Sequence, residues 1–222
     1  MSKKVGVFNL SSEKDIKREQ VFDYIYNAIH LGEIRPGQTL SERTLSIKLG
    51  VSRTPIREAF RQLENLGLVK SEPHKGVTVT SISGDQLKQL YQIREVLEGL
   101  GARILAENRN EEVLAALTNL LKEAEQAVQQ EDIYTLSKIN TQFHLAIASG
   151  TKNIYLENMM QTLQIHLRLL MSTSLSSSGR PKENLKEHWM IVKAIESGDP
   201  ELAETVASFH IRNAYKTILA KF

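Results

Sequence analysis

His188 and His210 are spaced as metal ligands on a helical hairpin would be. His188 falls 11 residues before Asp199 and His210 falls 11 residues after it. Gly198-Asp199-Pro200 reads as a helix stop followed at once by a helix start: Gly as C-cap, Asp as N-cap, Pro at the first helical position. The two flanking helices should therefore run antiparallel. At about 1.5 Å per residue, both rings lie about 16 Å from the turn, at one height. His188 shares a helical stripe with Leu185, Ile191, Val192 and Ile195, and His210 shares one with Leu202, Val206, Phe209 and Asn213. On a third stripe, with Ile133, Leu136, Phe143 and Ile147, Asn140 and His144 sit one turn apart. A single inward-facing histidine is ordinarily a satisfied core residue. Three facing one core, two of them matched in height, favour a metal site on Asn140, His144, His188 and His210. Imidazole nitrogen suits a divalent transition metal, zinc or nickel foremost, with copper, iron and manganese also possible chemistries. His166 has no partner specified by spacing, and His30 and His74 fall in the other half of the chain.

Arg94 interrupts the apolar stripe of Leu87, Leu90, Tyr91, Leu97, Ile104 and Leu105. A buried guanidinium needs an anion. Glu98, one turn on, could supply it; alternatively Arg94 grips a ligand carboxylate near the metal in a two-pronged bond. Arg168 is a second candidate for that role. Three imidazoles and one amide leave open coordination positions for water or a small organic acid.

The elements that must position these groups are all helical. From residue 85 onward no strand pattern occurs, and six amphipathic helices are expected over 85–107, 111–130, 132–149, 153–172, 181–197 and from 200 onward. Ser83 and Gln86 fit a capping box opening the first, and Asp132 opens the third. A Ser-rich loop, residues 174–179, separates the fourth from the fifth.

The front of the chain carries different chemistry. In the segment 51–64, Ile56, Phe60 and Leu63 form one apolar face, while Arg53, Thr54, Arg57 and Arg61 carry positive charge or hydroxyl elsewhere. Ser52 or Thr54 can cap the helix start, and Pro55 is tolerated in the first turn. A shorter amphipathic segment, 41–49, precedes it and ends at Gly50, so the pair reads as a helix-turn-helix. Such a helix can neutralise phosphate or fork onto guanine through its arginines. A helix over Val21, Tyr24, Ile25, Ala28 and Ile29 comes first, and Pro36-Gly37 makes a type II turn. Residues 68–70 and 77–80 read as two short strands joined at Pro73-His74-Lys75-Gly76, a wing whose Lys75 and Gly76 suit close approach to DNA.

Composition bounds this reading. The 222 residues suffice for two modest domains, each with its own core. Without cysteine there are no disulfides or thiolate metal sites, which suits a cytoplasmic setting. No apolar run reaches membrane-spanning length. Residues 1–80 hold 13 Lys/Arg against 9 Asp/Glu, and residues 81–222 hold 15 against 17. The basic excess therefore sits with the helix-turn-helix, where a DNA contact needs it.

The run Leu40-Ser41-Glu42-Arg43 … Leu49-Gly50-Val51-Ser52-Arg53-Thr54-Pro55-Ile56-Arg57-Glu58-Ala59 resembles the amino-terminal signature of GntR-family transcription regulators. The resemblance implies that Arg43, Ser52, Arg53, Thr54, Arg57, Lys75 and Gly76 contact DNA, and that a homodimer binds a palindromic double-stranded operator. The second half, through residues 91–99, Asn140-x-x-Phe143-His144, Glu187-His188 and His210, resembles the all-helical effector domain, termed FCD, of the FadR branch. That implies a divalent metal held by an Asp and three His. Here Asn140 stands where the carboxylate is usual, and an amide oxygen brings no negative charge.

The expected architecture is mainly α. An arm, residues 1–14, precedes a winged helix-turn-helix with a small β-hairpin wing (15–80), a linker (81–84) and a six-helix bundle (85–222). The expected function is a non-enzymatic transcription regulator, foremost a repressor, answering a small carboxylate metabolite. A metal-dependent hydrolase and a purely structural metal are the competing readings. The first would also need a general base and a cleft.

Overall fold

The computed structural model describes residues 18–30, 32–72, 76–175 and 179–220. These form two compact units that meet in sequence at Thr80 and Ser81. The expected arm and the wing-tip residues Pro73, His74 and Lys75 lie outside the described residues.

The first unit is built from α1 (Arg18–His30), β1 (Thr39–Leu40), α2 (Glu42–Leu49), α3 (Arg53–Asn65), β2 (Val69–Glu72) and β3 (Gly76–Val79). Its core is the periodic apolar set read from the sequence. Val21 and Ile25 of α1, Leu45 and Leu49 of α2, and Ile56, Phe60 and Leu63 of α3 are all buried. Ser41 caps α2 by accepting a hydrogen bond from the Thr44 amide. The α2–α3 turn is clamped where the Ser46 hydroxyl donates to the Val51 carbonyl at 2.5 Å. The wing is larger than the expected hairpin. β1 pairs with β3, which pairs with β2, in an antiparallel sheet of order β1-β3-β2. β1 has only two residues, too few for a period-two signal, and it exists because the Pro36-Gly37 turn returns the chain beside β3.

The second unit contains α4 (Gly84–Asn108), α5 (Glu111–Gln129), α6 (Ile133–Gly150), α7 (Ile154–Leu175), α8 (Arg180–Ser197) and α9 (Pro200–Leu219). Each lies within a few residues of its expected span. The Ser83/Gln86 capping box and the Asp132 and Asp199 caps are present. The main core joins Leu105 of α4, Leu117 and Leu121 of α5, Phe143 and Ile147 of α6, and Ile191 and Ile195 of α8.

α9 departs from expectation. Leu202 and Phe209 are 45% and 44% exposed, and the buried stripe is instead Ala203, Ala207, His210, Ile211 and Ala214. The cause is close packing of α4 on α9. A Cβ placed on Gly99 would come within 2.8 Å of the Ser208 hydroxyl and 3.2 Å of Glu204 Cγ, so α4 needs a glycine at that point of the contact. Gly198 ends α8 at φ 70°, a left-handed conformation that glycine adopts without strain, and the Gly198 amide donates to the Ile195 carbonyl. That turn sets α8 and α9 antiparallel.

Candidate metal centre and nucleic-acid interface

The three histidines of α6, α8 and α9 meet in the core of the helical unit. His144, His188 and His210 are 1–2% exposed. Each offers a ring nitrogen within 4.8 Å of the others. The equal-height expectation holds for α8 and α9: the Nε2 atoms of His188 and His210 lie 3.2 Å apart.

Two carboxylates orient the rings. Glu98 of α4 meets His144 Nδ1, and Glu187 accepts from His210 Nδ1 at 2.7 Å. Each carboxylate thereby holds the Nδ1–H tautomer and turns the Nε2 lone pair inward. His188 is placed by stacking on Phe143, with ring centroids 4.2 Å apart. The carboxylates are themselves held. Arg94 Nε donates to Glu98 at 2.7 Å, and Arg180 donates through both terminal nitrogens to Glu187 at 2.9 and 2.8 Å. Asn213 donates a fourth bond to Glu187, at 2.9 Å.

Asn140 is buried one turn from His144. Its amide oxygen accepts from Asn184 Nδ2 at 3.2 Å, so the atom that would coordinate a metal is already engaged once. Arg94 pairs with Glu98, the first of the two alternatives open at the sequence level, yet its Nη2 has no hydrogen-bond partner. Arg168 lies on α7, but its side chain is outside the described set.

Donor chemistry and spacing fit a divalent metal. Two nitrogens at about 2.0–2.1 Å from one ion, subtending tetrahedral or octahedral angles, lie roughly 2.8–3.4 Å apart. The observed 3.2 Å falls in that range. His144 Nε2 is fully enclosed and has no hydrogen-bond partner, an acceptor with nothing to accept from.

Burial is the main force on the ring pKa values. It holds His188 well below its usual value, with repulsion from His210 and His144 adding to the effect. Burial also lowers His144, against the pull of Glu98, and brings His210 down to about 4, against its hydrogen bond with Glu187. The carboxyls go the other way from what burial alone would give. His144 and Arg94 hold Glu98 at about 2, and hydrogen bonds from His210 and Arg180 hold Glu187 at about 2.

A pH dependence follows for chelator-treated protein. Below pH about 6.5 the unfolded chain binds protons that the folded imidazoles refuse, so stability falls as pH drops from there. The loss for His210 is complete near its folded value of about 4 and amounts to on the order of 3 kcal/mol. Glu98 and Glu187, depressed in the fold, add a further loss between about 4.5 and 2. Thermal melts should be level above pH 7 and decline steadily from pH 6.5 to 4. A melting temperature unchanged between pH 7 and 5 would contradict neutral buried imidazoles.

In the first unit, Arg43, Ser52, Arg53, Thr54, Arg57 and Gly76 are all exposed, while Lys75 lies outside the described residues. Ser52, one of the two residues expected to cap α3, occupies its N-cap but makes no side-chain cap bond. Arg57 Nε donates to both oxygens of Glu42, at 3.0 and 2.9 Å. That pairing across the helix-turn-helix was not legible from spacing.

Glu98, Glu187 and Arg180 are the main groups that sequence reasoning left out of the centre. A signal existed for two of them. Arg180, Asn184, Glu187 and Ile191 recur at helical spacing on one buried stripe, so polar residues occupy a core-facing line.

A helix-turn-helix with a wing and an exposed arginine-bearing α3, followed by a helical bundle with a buried polar centre, defines a two-part transcription regulator. Comparison with known proteins agrees. Residues 17–79 match bacterial regulatory proteins of the gntR family, and residues 89–213 match the FCD domain. The chain belongs to the GntR family of transcription regulators, in the branch that carries an FCD domain. It is 33% identical to a probable D-xylose utilization operon transcriptional repressor of Paenarthrobacter nicotinovorans, over 86% of this chain and 84% of that one. It is 28% identical to the uncharacterized regulator YdhC of Bacillus subtilis, over 87% of each. Among solved structures, McbR/YncC of E. coli has the same fold, at TM-score 0.73 and 23% identity, covering 96% of this chain and 99% of that one. A GntR-type regulator from Rhodococcus sp. RHA1 also superimposes with TM-score 0.73, at 25% identity, covering 92% and 98%.

Proposed function

We propose that this regulator is a repressor whose operator affinity is set by a small carboxylate metabolite bound beside a divalent metal, zinc or nickel, in the helical unit. The observation that carries the reading is the convergence of three buried imidazoles, two of them turned inward by carboxylates. His144, His188 and His210 would hold the ion, with the Asn140 oxygen close enough in sequence to join them. A bound ion would supply open coordination positions for a carboxylate oxygen. Arg94, with its free Nη2, would take another oxygen of the same ligand.

The protein would act in the cytoplasm as a homodimer on a palindromic operator, contacting it through Arg43, Ser52, Arg53, Thr54, Arg57, Lys75 and Gly76. An exposed apolar row on α4, Ile93, Val96 and Leu100, supplies a face for the second copy. Among the described residues no helix is long and apolar enough to cross a membrane. A hydrolytic role has less support. Glu98 and Glu187 are each held by an arginine and an imidazole, far below the range useful to a general base.

The effector must favour one arrangement of the DNA-binding units over another, or affinity would not change. The test is an operator titration of nickel-loaded and chelator-treated protein against a panel of small carboxylates. The expected result is an acid that weakens operator binding only when metal is present. Equal responses with and without metal would defeat the reading.

A further inference from the structure

The helix α8 has two faces of different chemistry. Its inner face, with Glu187, His188, Ile191 and Ile195, belongs to the bundle. On its outer face Lys182, Lys186, Trp189 and Lys193 recur at spacings of four, three and four residues, which brings them into one stripe. The three lysines are exposed. With Leu185 these four residues line an open groove of about 580 Å³. Met190, 40% exposed, borders the stripe, four residues after Lys186 and three before Lys193.

Trp189 forms the apolar floor. It packs on the main core cluster, and its indole N–H donates to Glu125 of α5 at 3.0 Å. The ring is therefore held at its body and at its polar edge. The lysines are not compensated in the same way. Among the described residues none of the three pairs with a carboxylate, whereas Arg103, Arg180 and Arg212 of the same unit each do. The acids of α8 do not neutralise them: Glu187 is engaged in the interior, Glu183 lies 3.9 Å from Arg180, and Glu196 follows the end of the stripe. At about 1.5 Å per residue, three positive charges are spread over about 16 Å of helix, with apolar surface between them.

This pattern selects among polyanions. Duplex DNA offers phosphates but no apolar side chains to cover Leu185, Trp189 and Met190. Single-stranded nucleic acid stacks its bases on open aromatic faces, and the core already occupies part of Trp189. A docked helix matches both parts. Acids one turn apart on it meet lysines one turn apart on α8, and apolar side chains between those acids enter the groove. We infer that the outer face of α8 docks an acidic amphipathic helix of a partner protein, whose carboxylates answer Lys182, Lys186 and Lys193. Nothing in this contact depends on the metal reading.

The test uses full-length protein. Trp189 is the sole tryptophan of the chain, so its fluorescence reports the groove directly. The first probe is an alanine-rich helical peptide of about 18 residues, with glutamates at the spacing of the lysines and leucines between them. A scrambled peptide of the same composition and an oligothymidylate of equal charge are its controls. The patterned peptide should change the emission saturably and bind about fivefold or more tightly than the scrambled one. Lys182→Gln/Lys186→Gln/Lys193→Gln should weaken that binding about fivefold or more, with helicity and operator affinity unchanged. Equal binding of the two peptides, or no binding of either, would overturn the inference. So would an oligothymidylate that outdoes the patterned peptide, or a triple variant that loses operator affinity, since each assigns the stripe to nucleic acid. A change in self-association of the triple variant, read by light scattering, would give the face to a second copy of this chain and overturn the assignment to a different protein.

Discussion

His188→Ala protein is expected to leave purification with its metal lost while the bundle stays folded. His188 is the most suitable ring to remove, because no hydrogen bond ties it to either carboxylate. It stacks on Phe143 and faces His210 through Nε2. Removing it leaves the Arg94–Glu98–His144 and Arg180–Glu187–His210 chains intact. Metal affinity should fall by more than the about 10–100-fold typical of losing an outer partner, since a ligand atom itself is gone. Elemental analysis and circular dichroism together make the check. Full metal occupancy with normal helicity would mean that the three rings are not the ligand set. The apolar cost should be modest, because the void opens beside Phe143 rather than within an aliphatic cluster.

The second large effect is expected on DNA. Arg53→Ala and Arg57→Ala should each weaken operator binding by about 1–3 kcal/mol if their guanidiniums reach base edges. The two should not behave alike. Arg53 stands exposed at the first turn of α3, whereas Arg57 is held by Glu42 across the turn from α2. Deleting Arg57 strips Glu42 of its counter-charge and leaves a bare carboxylate near the phosphates. The double variant Glu42→Ala/Arg57→Ala should therefore bind better than Arg57→Ala alone, a departure from additivity. Gel-shift titrations at several salt concentrations would separate base reading from phosphate attraction, because only the latter lowers the salt slope. An operator affinity indifferent to both arginines would remove α3 as the reader.

The helix borders of the second unit were legible because their signals are local. Ser83 with Gln86, Asp132, and Gly198-Asp199-Pro200 each announce an end within a few residues. The equal height of His188 and His210 was legible for a related reason: a tight turn converts sequence separation into spatial register. What stayed hidden depends on packing between distant segments. Glu98 reaches His144, 46 residues away, and no pattern within α4 reveals that its second oxygen has an imidazole to meet. Glu42 finds Arg57 because α2 and α3 cross, a matter of angle rather than spacing. The exposed Phe209 was misplaced because hydrophobicity outvoted size, when the face of α9 turned inward carries Ala203, Ala207 and Ala214 beside His210 and Ile211. β1 escaped because two residues carry no period.

The junction between α8 and α9 has a consequence for how this chain can drift in evolution. An extra residue inserted between His188 and His210 would carry one ring about 1.5 Å along its axis and about 100° around it, out of the three-histidine cluster. A deletion would do the same in the opposite sense. Gly198 is itself constrained, because its φ of 70° strains any residue with a Cβ and that Cβ would displace the Arg109 guanidinium, 2.1 Å away at Nε. Insertions and deletions among descendants that keep the histidine cluster should therefore spare this hairpin and collect in connections that do not join two of its helices so tightly.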